Sequence, residues 1–418
     1  MEKIILAKNV TLNLIRTAKF KDVMIELRFY NELTNQRATS RALLALILQD
    51  RCAKYETKIK MNNALDDLYG ASLSIRCFGY GKGAILRISL KAINQRFGDD
   101  QLLDRQFAFL HEIIFEPLLI QETFDEGKTA LENELWRLQE DPREYISKLA
   151  LETAGDGWPL AINTSGDLNV LDQTDLAELV NEYQTMLKED QITINVIGDV
   201  SEEIIVSQCQ RYLDFKPRLK QYGSYYEVKG SSVIKKEIER QIEQTSLMLV
   251  YNTNTAIVDP LYWPLKLGTI ILGQLPISLL FIEVREKRSL CYNISSSLLS
   301  FDGVMIIYTG IDYQNVAQTL QLIEQELSNV ITGNYSETLL HAAKEMLINS
   351  LRSTADNPAA ILNFNYQNQL IDTDLTIDQL IEKLSTVSID EISSAFQRLK
   401  LNTTFILKKK DVQNAENN

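Results

Sequence analysis

Histidine is scarce in this sequence. His111 and His341 are the only two in 418 residues, and they stand far apart. Each lies in a stretch of helical period, Phe107 to Ile114 and Leu339 to Ala342, where it reads as a surface or core-edge residue. Without a His motif, a Ser/His/Asp or Cys/His nucleophile has no general base to rest on. The four cysteines, Cys52, Cys77, Cys209 and Cys291, are scattered and form no C-x-x-C pair. Zinc ribbons and dithiol redox motifs are therefore excluded, and free thiols in a reducing compartment are expected. The 17 glycines build no glycine-dense loop, and no G-x-G-x-x-G or G-x-x-x-x-G-K follows a strand pattern. Nucleotide-binding folds lose their usual support. The apolar run Ala42 to Leu48 is too short to span a bilayer, and Met1 to Asn9 lacks a signal-peptide pattern. A cytoplasmic protein with no membrane association is expected. The net charge of -13 argues against a nucleic-acid backbone as partner.

What is present comes twice. In the first half a strand at Val23 to Tyr30 is followed by two helices ending near Leu68. A hairpin follows, Gly70 to Ile75 and Ala84 to Leu90, with Gly79 to Gly83 at its bend. Helical period returns at Leu102 to Ile114 and Phe124 to Leu138, and Asp141-Pro142 interrupts it. The second half repeats the order: strand Ser246 to Tyr251, helices at Tyr262 to Leu272 and Ser278 to Lys287, then hairpin Cys291 to Tyr308. Helices at Val316 to Leu327 and Glu337 to Leu351 precede Asn357-Pro358. Both halves close with a capped helix and a strand, opened by Thr174 in one and Ser388 in the other. The offset is roughly 210–220 residues, about one domain. Strand hairpins interleaved with helix pairs predict an α+β fold, each half a mainly antiparallel sheet covered by helices. The halves are placed at 1–215 and 233–410, with a linker at 216–232 and a polar tail at 411–418.

One segment stands out from this scaffold. Leu272-Gly273 is followed by Ser278-Leu279-Leu280-Phe281-Ile282-Glu283-Val284-Arg285-Glu286-Lys287-Arg288-Ser289-Leu290-Cys291-Tyr292. It delivers an Arg at a helix end and a Tyr at the start of a strand. A guanidinium binds carbonyls and carboxylates through parallel donors, and a Tyr hydroxyl can donate to a peptide carbonyl or its oxyanion. The segment resembles the second-half signature of the pitrilysin, insulinase and mitochondrial-processing-peptidase family. Asp66-Asp67-Leu68-Tyr69-Gly70-Ala71-Ser72-Leu73, Glu140-Asp141-Pro142, Val196 to Val200 and Gln244 to Tyr251 extend the resemblance over about residues 1 to 410.

The resemblance implies two related domains of the LuxS/processing-peptidase type, and a zinc site bound by an inverted His-x-x-Glu-His motif plus a later Glu. In this chain the matching helix, Arg41 to Asp50, holds neither His nor Glu, and the later Glu falls at Gly127. A catalytic zinc needs three protein ligands and an open position, so no catalytic residue and no metal is assigned here. Leu68-Tyr69-Gly70-Ala71 beside such a degenerate helix is similar to the metal-free bacterial partner subunits of the family. That likeness implies substrate-binding roles for Arg285 and Tyr292. It also implies a sister chain that carries His-x-x-Glu-His and the zinc, and a peptide substrate shared by the two. The alternative is a binding or scaffold protein that uses the fold without proteolysis, as a homodimer.

Overall fold

The computed structural model describes residues 1–218, 223–229 and 232–410. The polar tail at 411–418 lies outside the described residues, as do 219–222, 230 and 231 of the 216–232 linker. The first half runs β1 (Glu2–Ala7), β2 (Val10–Arg16), β3 (Asp22–Glu32), α1 (Asn35–Asp50), α2 (Lys58–Asp67), β4 (Ser72–Tyr80) and β5 (Gly83–Ile93). It continues with α3 (Leu102–Phe115), α4 (Gln121–Glu140), α5 (Pro142–Ala154), α6 (Leu168–Gln173), α7 (Leu176–Glu189), β6 (Gln191–Gly198) and α8 (Glu202–Tyr212). The second half runs β7 (Ile234–Arg240), β8 (Thr245–Asn252), α9 (Tyr262–Gly273), a π-helical turn (Phe281–Glu286), β9 (Cys291–Leu299) and β10 (Val304–Ile311). It closes with α10 (Val316–Thr332), α11 (Glu337–Thr354), α12 (Pro358–Leu370), α13 (Ile377–Thr386), α14 (Ile389–Phe396) and β11 (Lys400–Lys409).

The two sheets have one topology. The first is ordered β1-β2-β6-β3-β5-β4 and the second β7-β11-β8-β10-β9. Without β1, the orders match strand for strand. In each sheet the closing strand slots between two earlier ones and makes the parallel pair, β2 with β6 and β7 with β11. The remaining pairings are antiparallel. The fold is thus α+β, two related sheets covered by helices, as the repeated element order predicts.

Two compact units emerge. One comprises the described residues of 1–137, 162–223 and 357–364, the other those of 138–161, 224–356 and 365–410. Helix α5 thus belongs with the second sheet, where Ile146, Ala150 and Ala154 join Met248, Val250, Phe405 and Leu407 in one core. The start of α12 belongs with the first sheet, where Leu362 packs on Met24 and Ile197. The same local chemistry starts both helices. Asp141 accepts from the Arg143 and Glu144 amides, and Asn357 from those of Ala359 and Ala360. A proline follows each cap, at a position that needs no N–H donor. The Pro dipeptides therefore start helices rather than only ending them.

Other caps follow the sequence closely. Ser388 forms a capping box with Glu391. The cap of α7 sits one residue later than expected, on Asp175, which accepts from the Glu178 amide. All four cysteines are free. Among the described residues no helix is long and apolar enough to cross a membrane.

Candidate functional site

In the second unit, Arg285 and Tyr292 are positioned by buried neighbours. Helix α9 is buried almost throughout, and Gly268 admits it against α14: a Cβ there would lie 2.2 Å from Phe396 Cε2. The helical segment that follows is anchored by Leu280 and Val284, both fully buried. Over Phe281–Glu286 it widens into a π turn, with the Lys287 amide donating five residues back to Ile282 O at 2.9 Å. Such turns re-aim side chains and occur often at functional sites. Ser289, at φ 52°, stops the helix; its amide donates to Arg285 O at 2.9 Å, and the Leu290 amide to Val284 O at 3.1 Å. The chain then enters β9 directly.

The result is a guanidinium held beside two rings. Arg285 Cζ lies 4.4 Å from the Phe281 ring centroid and 5.2 Å from that of Tyr292. Cation–π attraction of this kind orients the group without consuming its N–H donors. Tyr292 is 83% exposed, on an edge strand paired only with β10. Among the described residues its hydroxyl has no hydrogen-bond partner.

Neighbouring charges leave Arg285 available. Glu283 takes Lys287 at 2.8 Å and also pairs with Arg288. The hydrogen bond from Lys287, then that from Arg288, holds the Glu283 carboxyl below its usual range. Arg285 keeps only a loose contact, Nε to Glu286 Oε1 at 3.6 Å, between two partly exposed side chains. A surface pair of that kind contributes about 0–1 kcal/mol and yields readily to a competing ligand. The pair can thus offer a fork of N–H donors and one hydroxyl to an extended peptide.

The corresponding corner of the first unit is closed. Helix α1 is fixed by fully buried Arg41. Its NH2 donates to Asp190 Oδ1 at 2.9 Å, its NH1 lies 2.7 Å from Oδ2, and its Nε donates to Glu182 at 2.9 Å. Asn31 donates to Asp190 at 2.7 Å. Further along the same helix, Leu43 and Ile47 face α4 at Gly127. A Cβ on Gly127 would lie 2.8 Å from Ile47 Cγ1 and 3.1 Å from Leu43 Cδ1. Leu43 and Ile47 are spaced i, i+4, as the two histidines of an inverted motif are. Together with Gly127 they offer no N, O or S donor. Zinc does not fit these residues.

Glu126, next to Gly127, is drawn away to pair with Arg51. Among the described residues no group of His, Cys, Asp or Glu could hold a metal ion. His111 donates from Nδ1 to Tyr212 O, 2.8 Å away, and its ring lies tilted beside that of Phe115, 4.9 Å between centroids. His341 is exposed on α11. The contact of Leu43, Ile47 and Gly127 was not visible in the sequence, although the i, i+4 apolar pair was there to be aligned with the metal motif.

Two related α+β units, one with an apolar corner and the other with an open Arg/Tyr pair, define a peptidase-like chain of the non-catalytic type. Comparisons with known proteins agree. Residues 174–347, which include Arg285 and Tyr292, match the family described as "Peptidase M16 inactive domain". The "Probable inactive metalloprotease YmfF" of Bacillus subtilis (strain 168) is 26% identical over 409 residues, 96% of each chain. The crystal structure of a conserved protein from Enterococcus faecalis V583 is 33% identical, covers 98% of this chain and 99% of that one, and superposes with a TM-score of 0.94. An M16 inactive domain from Pseudomonas fluorescens, 18% identical over 99% of both chains, shares the fold at a TM-score of 0.80. The chain belongs to the M16 peptidase family, and its relatives include members described as inactive.

Proposed function

We propose that this chain is the non-catalytic subunit of a heterodimeric zinc peptidase. A sister chain of the same fold, carrying His-x-x-Glu-His, supplies the zinc and the general base. This chain holds no catalytic zinc. It contributes Arg285 and Tyr292 to the substrate and part of the wall around it, and the complex acts on peptides. The observation that carries this reading is the contrast between two corners. The Arg/Tyr pair is open and supported by Phe281, while Leu43, Ile47 and Gly127 pack an apolar corner that offers a metal no side-chain donor. An exposed tyrosine without hydrogen bonds and a loosely paired guanidinium do little for stability, so a ligand is the better account of them.

The chemistry assigned to the pair is positioning. The guanidinium fork holds a backbone carbonyl or a terminal carboxylate of the peptide. The tyrosine hydroxyl donates to a carbonyl oxygen as negative charge develops there. Co-expression with a family member that has the intact motif tests the assembly. The expected result is a stable mixed complex with one zinc per pair, whose peptide cleavage needs both chains. A sister chain that cleaves equally well alone, with no complex formed, contradicts the proposal and leaves a non-proteolytic binding protein.

A further inference from the structure

The first sheet carries a row of arginines that neither its packing nor the Arg/Tyr pair explains. Arg28 on β3 stands opposite Arg87 on β5, and Arg87 opposite Arg76 on β4. Directly opposed residues share one face of the sheet, about 4.5–5.5 Å apart at Cβ, and like charges in that relation destabilise it. Two of the three share Glu26. Glu26 receives Arg28 Nε at 2.7 Å and lies 3.8 Å from Arg87 Nε. Among the described residues Arg87 Nε has no hydrogen-bond partner. Burial, and then the nearby Arg28 and Arg76, hold the Arg87 guanidinium below its usual range, although Glu26 opposes them. The Phe78 ring lies under both Arg28 and Arg87, at 6.0 and 5.5 Å. Arg76 is exposed and has no acidic partner among the described residues.

Protection of a free sheet edge would explain Arg76 on the outermost strand. It does not explain Arg87, which lies one strand inward, half-buried, between two other guanidiniums. In a chain of net charge -13, two arginines share Glu26 and a third, Arg76, stands in the same row without an acid, an arrangement that favours a bound anion. Its overall charge would repel a long polyanion. A short acidic segment can instead place a carboxylate between Arg87 and Arg76 and spread its neighbours over the sheet face.

We infer that the β3–β5–β4 face binds acidic peptide segments through Arg76 and Arg87, so that peptides bearing clustered Glu or Asp are the preferred class. This inference rests on the peptide-handling reading above, but its test needs no sister chain.

Fluorescence anisotropy with the full chain tests it. The probe is a labelled extended peptide with Glu at alternate positions, compared with the same peptide carrying Gln and the same peptide carrying Lys. The Glu peptide should bind at least about tenfold more tightly than either, and should weaken as salt is raised. Arg76→Gln, at an exposed position, should weaken it about tenfold with an unchanged melting temperature. Arg87→Gln should do the same or more. Lys383→Gln, at an exposed position on α13, should have no effect. Equal binding of Glu and Gln peptides, or an Arg76→Gln variant that binds as well as wild type, overturns the inference. Displacement of the Glu peptide by inorganic triphosphate or an oligonucleotide at lower concentration than by unlabelled Glu peptide also overturns it, in favour of a phosphate site. Failure of sister-dependent cleavage would not alter this result, so the two readings can fail separately.

Discussion

The helix pair between β3 and β4 and the helical segments between β8 and β9 occupy the same step of one repeated chain order. They use it in opposite ways. In the first unit the step is sealed, with Arg41 fully buried in an ionic network and Leu43 and Ile47 packed on Gly127. In the second it ends in an 83% exposed tyrosine beside a loosely paired arginine. One scaffold thus tolerates both an apolar corner and an open polar one. The sheet order does not depend on which is present.

That contrast can be broken or sharpened by substitution. The largest effect is expected at Arg41. Arg41→Ala leaves Asp190 buried and without its cation, which should cost about 3–5 kcal/mol and lower the unfolding transition of the first unit in a denaturant titration. Gly127→Glu comes next. It forces a side chain and a charge against Ile47 and Leu43, and should cost about 3–4 kcal/mol. If it is tolerated without loss, the corner is not packed as described.

The second unit has its own half-buried titratable group, Asp302. Burial pushes the Asp302 carboxyl up to about 6, while Tyr226 donates to it at 2.5 Å and stacks on Trp158. A carboxyl with a raised native pKa binds its proton more tightly folded than unfolded. Stability should therefore fall as pH rises from about 4 to about 6, by about 2–3 kcal/mol, and level off above. Asp302→Asn should flatten that slope. The smallest effect is expected at the open corner. Tyr292→Phe should change stability by less than about 0.5 kcal/mol, because the hydroxyl has no partner to lose.

Much of this molecule was legible in its residues, for stated reasons. Alternation with Gly at the bend marked both hairpins, and the repeat of element order foretold the shared sheet topology. Strands β1, β2 and β7 were not read. β7, Ile234–Arg240, is mostly exposed and charged, so it carries no apolar alternation and is set by its parallel pairing with β11. Periodicity also could not show that α5 packs with the second sheet, since a helix face records that it is buried but not against what. At the candidate site Arg285 and Tyr292 were singled out by their likeness to a known family signature, and their side chains lie together, 5.2 Å from guanidinium to ring centroid. The filling of the metal corner was readable only as missing histidines. That Leu43 and Ile47 meet Gly127 depends on how α1 and α4 pack, which no local pattern encodes. The arginine row went unread because its members are far apart in sequence and adjacent only through β-sheet register.

The central claim is that this chain lends an open Arg/Tyr pair to chemistry performed elsewhere. Its most direct test is the turnover of a complex with a zinc-bearing sister, comparing wild type with Tyr292→Phe at matched assembly. Loss of a donor to a developing oxyanion should lower kcat about 10²–10³-fold while zinc content and complex formation stay unchanged. A Tyr292→Phe complex with wild-type turnover would contradict the claim.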